Sequence, residues 1–329
     1  MQLSTPGPAG TLREVRSADP RPGRGELLLE MSACAVCRTD LQLISGELPA
    51  RRLPIVPGHQ VIGRVADIGA GVTGWQVGEW AGAIWLASAC GACAYCRTGR
   101  ENLCREARFT GWDTDGGFAT HQLVRAAFAF HLPPALRDRA AAPLLCGGVI
   151  GFRALRLAGL APGMRLGLYG FGASASLAIQ VARARGARIH VATRGEAERQ
   201  RALSLGADSV GGYRDPPPEP LDAAITFAPV GSVVIDALRA VAPGGAVVIN
   251  AIHLDRIPAF DYRLLWEERS LRSVANVTRH DAEEFLALAA DLSIATEPRY
   301  YPLRMANDAL ADLAAGRVGA PVAVLVNEQ

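Results

Sequence analysis

Seven cysteines and six histidines are the side chains best suited to hold a metal in this 329-residue chain. Four of the cysteines crowd into CGACAYCRTGRENLC: Cys90, Cys93, Cys96 and Cys104, spaced C-x2-C-x2-C-x7-C. Four thiolates on one short loop complete a tetrahedral shell with no open position. That suits a structural zinc pinning a segment with little core of its own. The same donors also suit an iron–sulfur cluster. An odd cysteine count behind an N-terminus without a basic-plus-apolar leader argues against a disulfide framework.

Three further residues stand apart. Cys37 opens CRTD, His59 sits in PGHQ and Cys146 in PLLCGGVIG. Two thiolates and one imidazole balance a zinc ion and leave a fourth position free. There the ion can polarise a carbonyl or lower the pKa of an alcohol. Their wide separation leaves a second reading open, in which each is simply a buried core residue.

RLGLYGFGASASLAIQVA places G-x-G-x-x-A (Gly170, Gly172, Ala175) between a strand-like and a helix-like run. In that frame a tight turn brings a helix N-terminus against a pyrophosphate. The next strand-like run ends IHVATRG. A carboxylate there would bind ribose hydroxyls and repel a 2′-phosphate. Thr193 and Arg194 stand in its place, and a guanidinium suits a phosphate, so NADP(H) is expected over NAD(H). The alternative is an Arg194 that only faces solvent.

These residues need elements to position them. Up to about residue 147 the chain is rich in glycine, proline and short strand-like runs such as ELLLEMSACAV, HQVIGRVADIG, WAGAIWLA and FATHQLV, which suggests an irregular antiparallel barrel. From 148 the texture becomes strand–helix alternation. GVIGFRALRLAGL, ASASLAIQVARARG, EAERQRALSLG, VVIDALRAVAPGG and DAEEFLALAADL read as helices. RLGLYG, RIHVAT, LDAAITFA, AVVINA and RSVANV read as strands. Such alternation predicts a doubly wound parallel sheet. MANDALADLAAGR and PVAVLV close the chain as a helix and a strand.

Half the residues are hydrophobic, a fifth are charged and the net charge is +2, with arginines scattered. Nothing there favours nucleic acid or a membrane surface as partner. The apolar run AAAPLLCGGVIGF (140–152) is too short and glycine-rich to span a bilayer, so a cytoplasmic protein is expected.

The chain resembles the zinc-containing alcohol dehydrogenases of the medium-chain dehydrogenase/reductase superfamily over nearly its whole length. The matching motifs, in family order, are CRTD (37–40), PGHQVIGRV (57–65), the cysteine loop (90–104), DGGFAT (115–120), PLLCGGVIGFRAL (143–155), YGFGASA (169–175), LGAD (205–208) and AAGRV (314–318). The resemblance implies an α/β chain with a GroES-like, β-rich catalytic domain over 1–147 and 293–329. A Rossmann NADP-binding domain over 148–292 is inserted into it, with the cleft at their junction. It implies Cys37, His59 and Cys146 as catalytic zinc ligands, and Cys90, Cys93, Cys96 and Cys104 as structural ones. Thr39 would hydrogen-bond the substrate oxygen and open a proton relay, and Asp40 would orient His59. Arg38 would contact the pyrophosphate, Tyr213 would lie near the adenosine, and Trp85 would be a pocket aromatic. Cys34 has no family role and is expected in the core.

The departures from the family are as informative. Gln60 replaces the usual Glu after the zinc histidine, which removes a negative charge and implies a stronger Lewis acid. Gln42 replaces a common relay histidine. Ile150 stands where threonine is common and Leu48 where many members carry tryptophan. Both make that side of the pocket apolar, which hints at bulky hydrophobic substrates. The implied function is zinc-dependent hydride transfer between alcohols and aldehydes or ketones with NADP(H), in a homodimer or homotetramer. The competing readings are a zinc-poor quinone or enoyl reductase and a non-catalytic dinucleotide-binding relative.

Overall fold

The computed structural model describes residues 1–8, 10–18, 20–251, 254–318 and 322–327. Along the first stretch come β1 (Glu26–Ala35), α1 (Arg38–Ser45), β2 (Val61–Ile68), β3 (Trp80–Ala83), β4 (Leu86–Ser88), α2 (Ala94–Arg97), β5 (Arg108–Phe109), β6 (His121–Arg125) and β7 (Ala129–His131). Then follow α3 (Gly147–Leu157), β8 (Arg165–Tyr169), α4 (Ala173–Ala184), β9 (Arg188–Ala192), α5 (Glu196–Ser204), β10 (Ser209–Gly211), β11 (Leu221–Thr226), α6 (Gly231–Ala240), β12 (Val241–Ile249) and β13 (Ser270–Ser273). The chain closes with α7 (Arg279–Asp291), β14 (Pro298–Pro302), α8 (Ala306–Ala314) and β15 (Val322–Val326).

The chain divides into two compact units, Met1–Cys146 with Asn276–Gln329, and Gly147–Ala275. In the first unit the main sheet runs β14-β15-β1-β2-β3-β7, with β6 also pairing β1. Register irregularities at Leu28/Leu29 and Met31/Ala33 let β1 serve several partners. Its core gathers Leu27, Leu29, Met31, Val61, Phe118 and Leu325. Cys34 is fully buried in that core, as expected, and burial pushes its thiol well above the usual range.

The second unit is a six-stranded sheet in the order β10-β9-β8-β11-β12-β13, parallel throughout. This is the 3-2-1-4-5-6 order of a doubly wound dinucleotide fold. Its strands read as apolar runs because helices cover both faces. Leu166, Leu168, Ile189, Val191, Ile225 and Val248 are all buried.

Three expectations differ from the structure. The helix expected through Gly245 ends at Ala240, and Val241–Ile249 is strand, because Pro243 bars a helical turn and biases Ala242 toward extended backbone. The strand expected over RSVANV is Ser270–Ser273 only, and Asn276 turns left-handed at φ 59°. In the division into compact units, α7 packs with the first unit, which resumes at Asn276. At its first turn the Glu101 carboxylate accepts from the Arg279 amide at 3.0 Å, and Ala282, Phe285, Leu286 and Ala289 are buried. Finally, the apolar run is longer than read, spanning Arg139–Leu157, but it is 61% buried. It is broken at Cys146 between a 3-10 segment (Arg139–Leu145) and α3.

Candidate metal and dinucleotide sites

Cys37 is the N-cap of α1, and Asp40, three residues on, reaches back to accept its amide at 2.8 Å. The other oxygen of Asp40 accepts the Gly58 amide at 3.2 Å, so one buried carboxylate ties the Cys37 turn to the loop before β2. Gly58 must be glycine. Its φ is +94°, and a Cβ there would meet Phe118 and the Cys34 sulfur below 3 Å. That turn delivers His59, 1% exposed, beside Cys37. Cys146 arrives at the break between the 3-10 segment and α3. The ligand atoms of Cys37, His59 and Cys146 all lie within 4.8 Å of one another.

This donor set fits a divalent cation. His59 Nδ1 is buried without a formed hydrogen bond, 3.5 Å from the same Asp40 oxygen that holds Gly58. The imidazole thus faces the carboxylate with one nitrogen and leaves Nε2 for a metal. Burial alone would lower His59, but Asp40 and Cys37 outweigh it and push the imidazole up to about 10. Contact with Cys146, then with His59, holds Cys37 well below the ordinary thiol range. The same contact and burial push Cys146 well above it. A cation entering the triad would displace these shared protons.

Around the triad, Thr39 is buried with Oγ1 3.7 Å from Cys37 Sγ. Gln60 is buried with Nε2 3.5 Å from the Ala35 carbonyl. Gln42 is half-buried, its carbonyl accepting the Leu48 amide. Leu48 is buried in the first unit's core. Trp85 presents its ring to His59 edge-on, centroids 4.8 Å apart. Behind it lie two aromatics that sequence reading missed. Phe109 and Trp112 stack on Trp85 at 5.3 and 5.9 Å. Their signal is RFTGWD, just after the cysteine loop. Arg38 is exposed. Ile150 lies on α3 of the second unit, half-buried.

The cysteine loop hangs from a two-stranded neck, β4 paired with β5. Its sulfurs converge: Cys90 Sγ lies 3.8 Å and Cys93 Sγ 3.5 Å from Cys96 Sγ, and the Cys90 amide points at Cys104 Sγ at 3.5 Å. Zinc–sulfur bonds of about 2.3 Å in a tetrahedron put neighbouring sulfurs about 3.8 Å apart, so this cluster fits zinc. The amides of Ala92 and Cys93 lower the Cys90 thiol to about 7, and burial raises Cys96 to about 12.

In the second unit, β8 runs into the turn Gly170–Gly172 and α4. Gly170 has φ +92°, and a Cβ would strike the Ala228 amide at 2.8 Å. At Gly172, the N-cap of α4, a Cβ would meet nothing within 4 Å, so the backbone there is open to a ligand. Ala175 is fully buried against the sheet side. This cradle fits a pyrophosphate at a helix N-terminus. At the end of β9, Thr193 is buried and Arg194 exposed. Burial raises the Tyr213 hydroxyl, opposed by Arg194 close by. Thr193 donates to Glu198, a carboxylate that sequence reading missed because it lies five residues on, in α5.

Residues 23–134 match the alcohol dehydrogenase GroES-like domain, and residues 175–291 match the zinc-binding dehydrogenase family. The chain is 49% identical to the probable alcohol dehydrogenase AdhA of Mycobacterium tuberculosis over 333 positions, 99% of this chain and 96% of that protein. A cinnamyl alcohol dehydrogenase of Sorghum bicolor superposes with TM-score 0.90 at 26% identity, covering 98% of this chain and 96% of that one. A Sinorhizobium meliloti protein described as a zinc-binding dehydrogenase and bound to NADP superposes with TM-score 0.86 at 27% identity, covering 99% of each chain.

Proposed function

The chain belongs to the zinc-binding alcohol dehydrogenases of the medium-chain dehydrogenase/reductase superfamily, and on that footing we propose that it interconverts alcohols with aldehydes or ketones, with zinc at Cys37, His59 and Cys146 and NADP(H) at the glycine turn. The observation that carries this reading is the convergence of three donors from three separate segments to within 4.8 Å, with buried Asp40 behind the histidine. When bound, zinc supplies a Lewis acid for the substrate oxygen, and the nicotinamide gives or takes the hydride.

The residues supply the rest. Cys37 and Cys146 as thiolates, with neutral His59, offset the charge of the ion and leave one position open. Asp40 holds the imidazole in one orientation. The Thr39 hydroxyl, beside Cys37, hydrogen-bonds the substrate oxygen and passes its proton. Gln42 can neither take up nor release a proton, so cofactor ribose hydroxyls or water carry the relay onward. Trp85, Phe109 and Trp112 form an apolar wall that excludes water and seats the organic group. Gly170, Gly172 and Ala175 shape the pyrophosphate cradle. Arg194, Thr193 and Tyr213 favour the 2′-phosphate of NADP(H), and Arg38 adds a cation for the diphosphate. A second zinc at Cys90, Cys93, Cys96 and Cys104 holds the loop and takes no part in the chemistry. The same reading makes the protein a cytoplasmic homodimer or homotetramer.

Metal analysis with a screen of NADPH oxidation against aldehydes, ketones and enones tests this. Two zincs per chain and consumption with aldehydes or ketones are expected. One zinc would favour either rival; turnover of enones alone would then point to the reductase alternative, and no turnover to a non-catalytic dinucleotide-binding relative. Thr39→Val is expected to abolish nearly all turnover while cofactor binding persists. Unchanged turnover would remove Thr39 from the mechanism.

A further inference from the structure

The aromatic wall beside His59 does not end in solvent. Trp112, the outermost ring, lies under Arg51, whose guanidinium carbon sits 3.8 Å from the ring centroid. The same guanidinium donates from one nitrogen to both Asp113 oxygens, at 3.2 and 3.1 Å. Asp113 is only 11% exposed in its side chain, and it also accepts the Phe109 amide at 2.9 Å. The indole N–H of Trp112 donates to the Pro49 carbonyl at 2.9 Å. One residue further along the first loop and two along the second, Arg52 pairs with Asp115 at 2.7 Å, and Asp115 accepts the Val56 amide. Two loops, 49–56 and 109–115, are therefore zipped together around Trp112: Arg51 lies over its ring and, at 5.6 Å, over that of Phe109, with Phe109 and Trp85 stacked beside it at 5.7 and 5.9 Å.

We propose that Arg51, clamped by Asp113 and stacked on Trp112, is a positioning residue. It fixes the Trp85–Phe109–Trp112 wall flat beside the metal triad and so selects alcohols and aldehydes bearing a planar aryl group. The proposal rests on the alcohol dehydrogenase reading for its substrate and on the clasp alone for its geometry. A planar wall rewards planar substrates through offset or edge stacking, which needs the rings held in one orientation. A free indole on a surface loop would rotate among rotamers, and small aliphatic substrates would not register the difference. Arginine is the residue for this task. Its planar fork binds a carboxylate while its face stacks on an indole, and lysine does neither as well.

The test compares the parent with Arg51→Ala and Arg51→Lys, using benzaldehyde and propanal as substrates with NADPH. For Arg51→Ala, KM for benzaldehyde should rise by about five- to tenfold, the scale of one lost stacking contact, with kcat and both propanal constants within about twofold. Arg51→Lys should fall between. Acrylamide quenching of tryptophan fluorescence, without substrate, should increase in Arg51→Ala and not in an Arg51→Ala, Trp112→Phe double variant. Equal losses on both aldehydes, or no change on either, would overturn the proposal. If the parent reduces neither aldehyde nor any ketone of the screen above, the alcohol dehydrogenase reading fails. The quenching then decides on the clasp: increased exposure of Trp112 supports it, and unchanged exposure overturns it. Should Arg51→Ala fail to fold, Arg51→Lys and Asp113→Asn carry the same comparison.

Discussion

At Gln60, one nitrogen changes what a buried side chain can do. Its amide points at the Ala35 carbonyl at 3.5 Å, while its backbone carbonyl accepts the Ala35 amide at 3.1 Å. A carboxylate at this position would have no hydrogen to donate and would carry a charge into a site only 4% exposed. Gln60→Glu should therefore lower the free energy of unfolding by about 1–3 kcal/mol. Urea titration reads this directly, independent of any metal-dependent rate; an unchanged midpoint would show that the amide is not used. The motif PGHQ announces the substitution, yet only the fold supplies Ala35 as its partner.

Among the elements, α7 carries a long-range polar tie at its first turn. Glu101, in the cysteine loop, receives both the amide and the guanidinium of Arg279 at the start of that helix, at 3.0 and 3.3 Å. Burial pushes the Glu101 carboxyl up, but these donors outweigh it and hold the pKa below the usual carboxylate range. A folded pKa below the unfolded one means that the tie stabilises fully above about pH 4.3, the unfolded value. Its contribution is lost as the pH falls through the folded value. Glu101→Gln should cost about 1 kcal/mol at neutral pH, a modest figure because Arg279 is partly exposed. The loss should vanish below the folded pKa, and unfolding measured from pH 7 to 3 checks both. An acid sensitivity identical to the parent would remove the tie from α7.

For the whole molecule, each unit carries its own core, and the glycine turn Gly170–Gly172 lies in the second. A ligand bound only to the folded state stabilises it by mass action. NADPH at a hundredfold its dissociation constant should therefore add about 2.7 kcal/mol to the opening of that unit. Amide exchange in β8 and α4 should slow by about a hundredfold. NADH at the same concentration should protect less, if Arg194 selects the 2′-phosphate. Equal protection would show that Arg194 does not discriminate, and stronger protection by NADH would assign the preference to the carboxylate of Glu198, hydrogen-bonded to Thr193.

Residue types and spacing were enough to mark the four-cysteine loop, the glycine turn and the strand–helix alternation, because each is local: its donors or its period lie within one short segment. The doubly wound sheet follows from that period. The triad is different. Cys37, His59 and Cys146 are named by resemblance, but only the tertiary structure shows that the turns at Asp40, Gly58 and the break before α3 bring them within 4.8 Å. The membership of α7, the partner of Gln60 and the clasp of Arg51 on Trp112 also depend on residues tens to hundreds of positions apart. No periodicity encodes such contacts; burial, hydrogen-bond satisfaction and ring stacking decide them once the chain has folded.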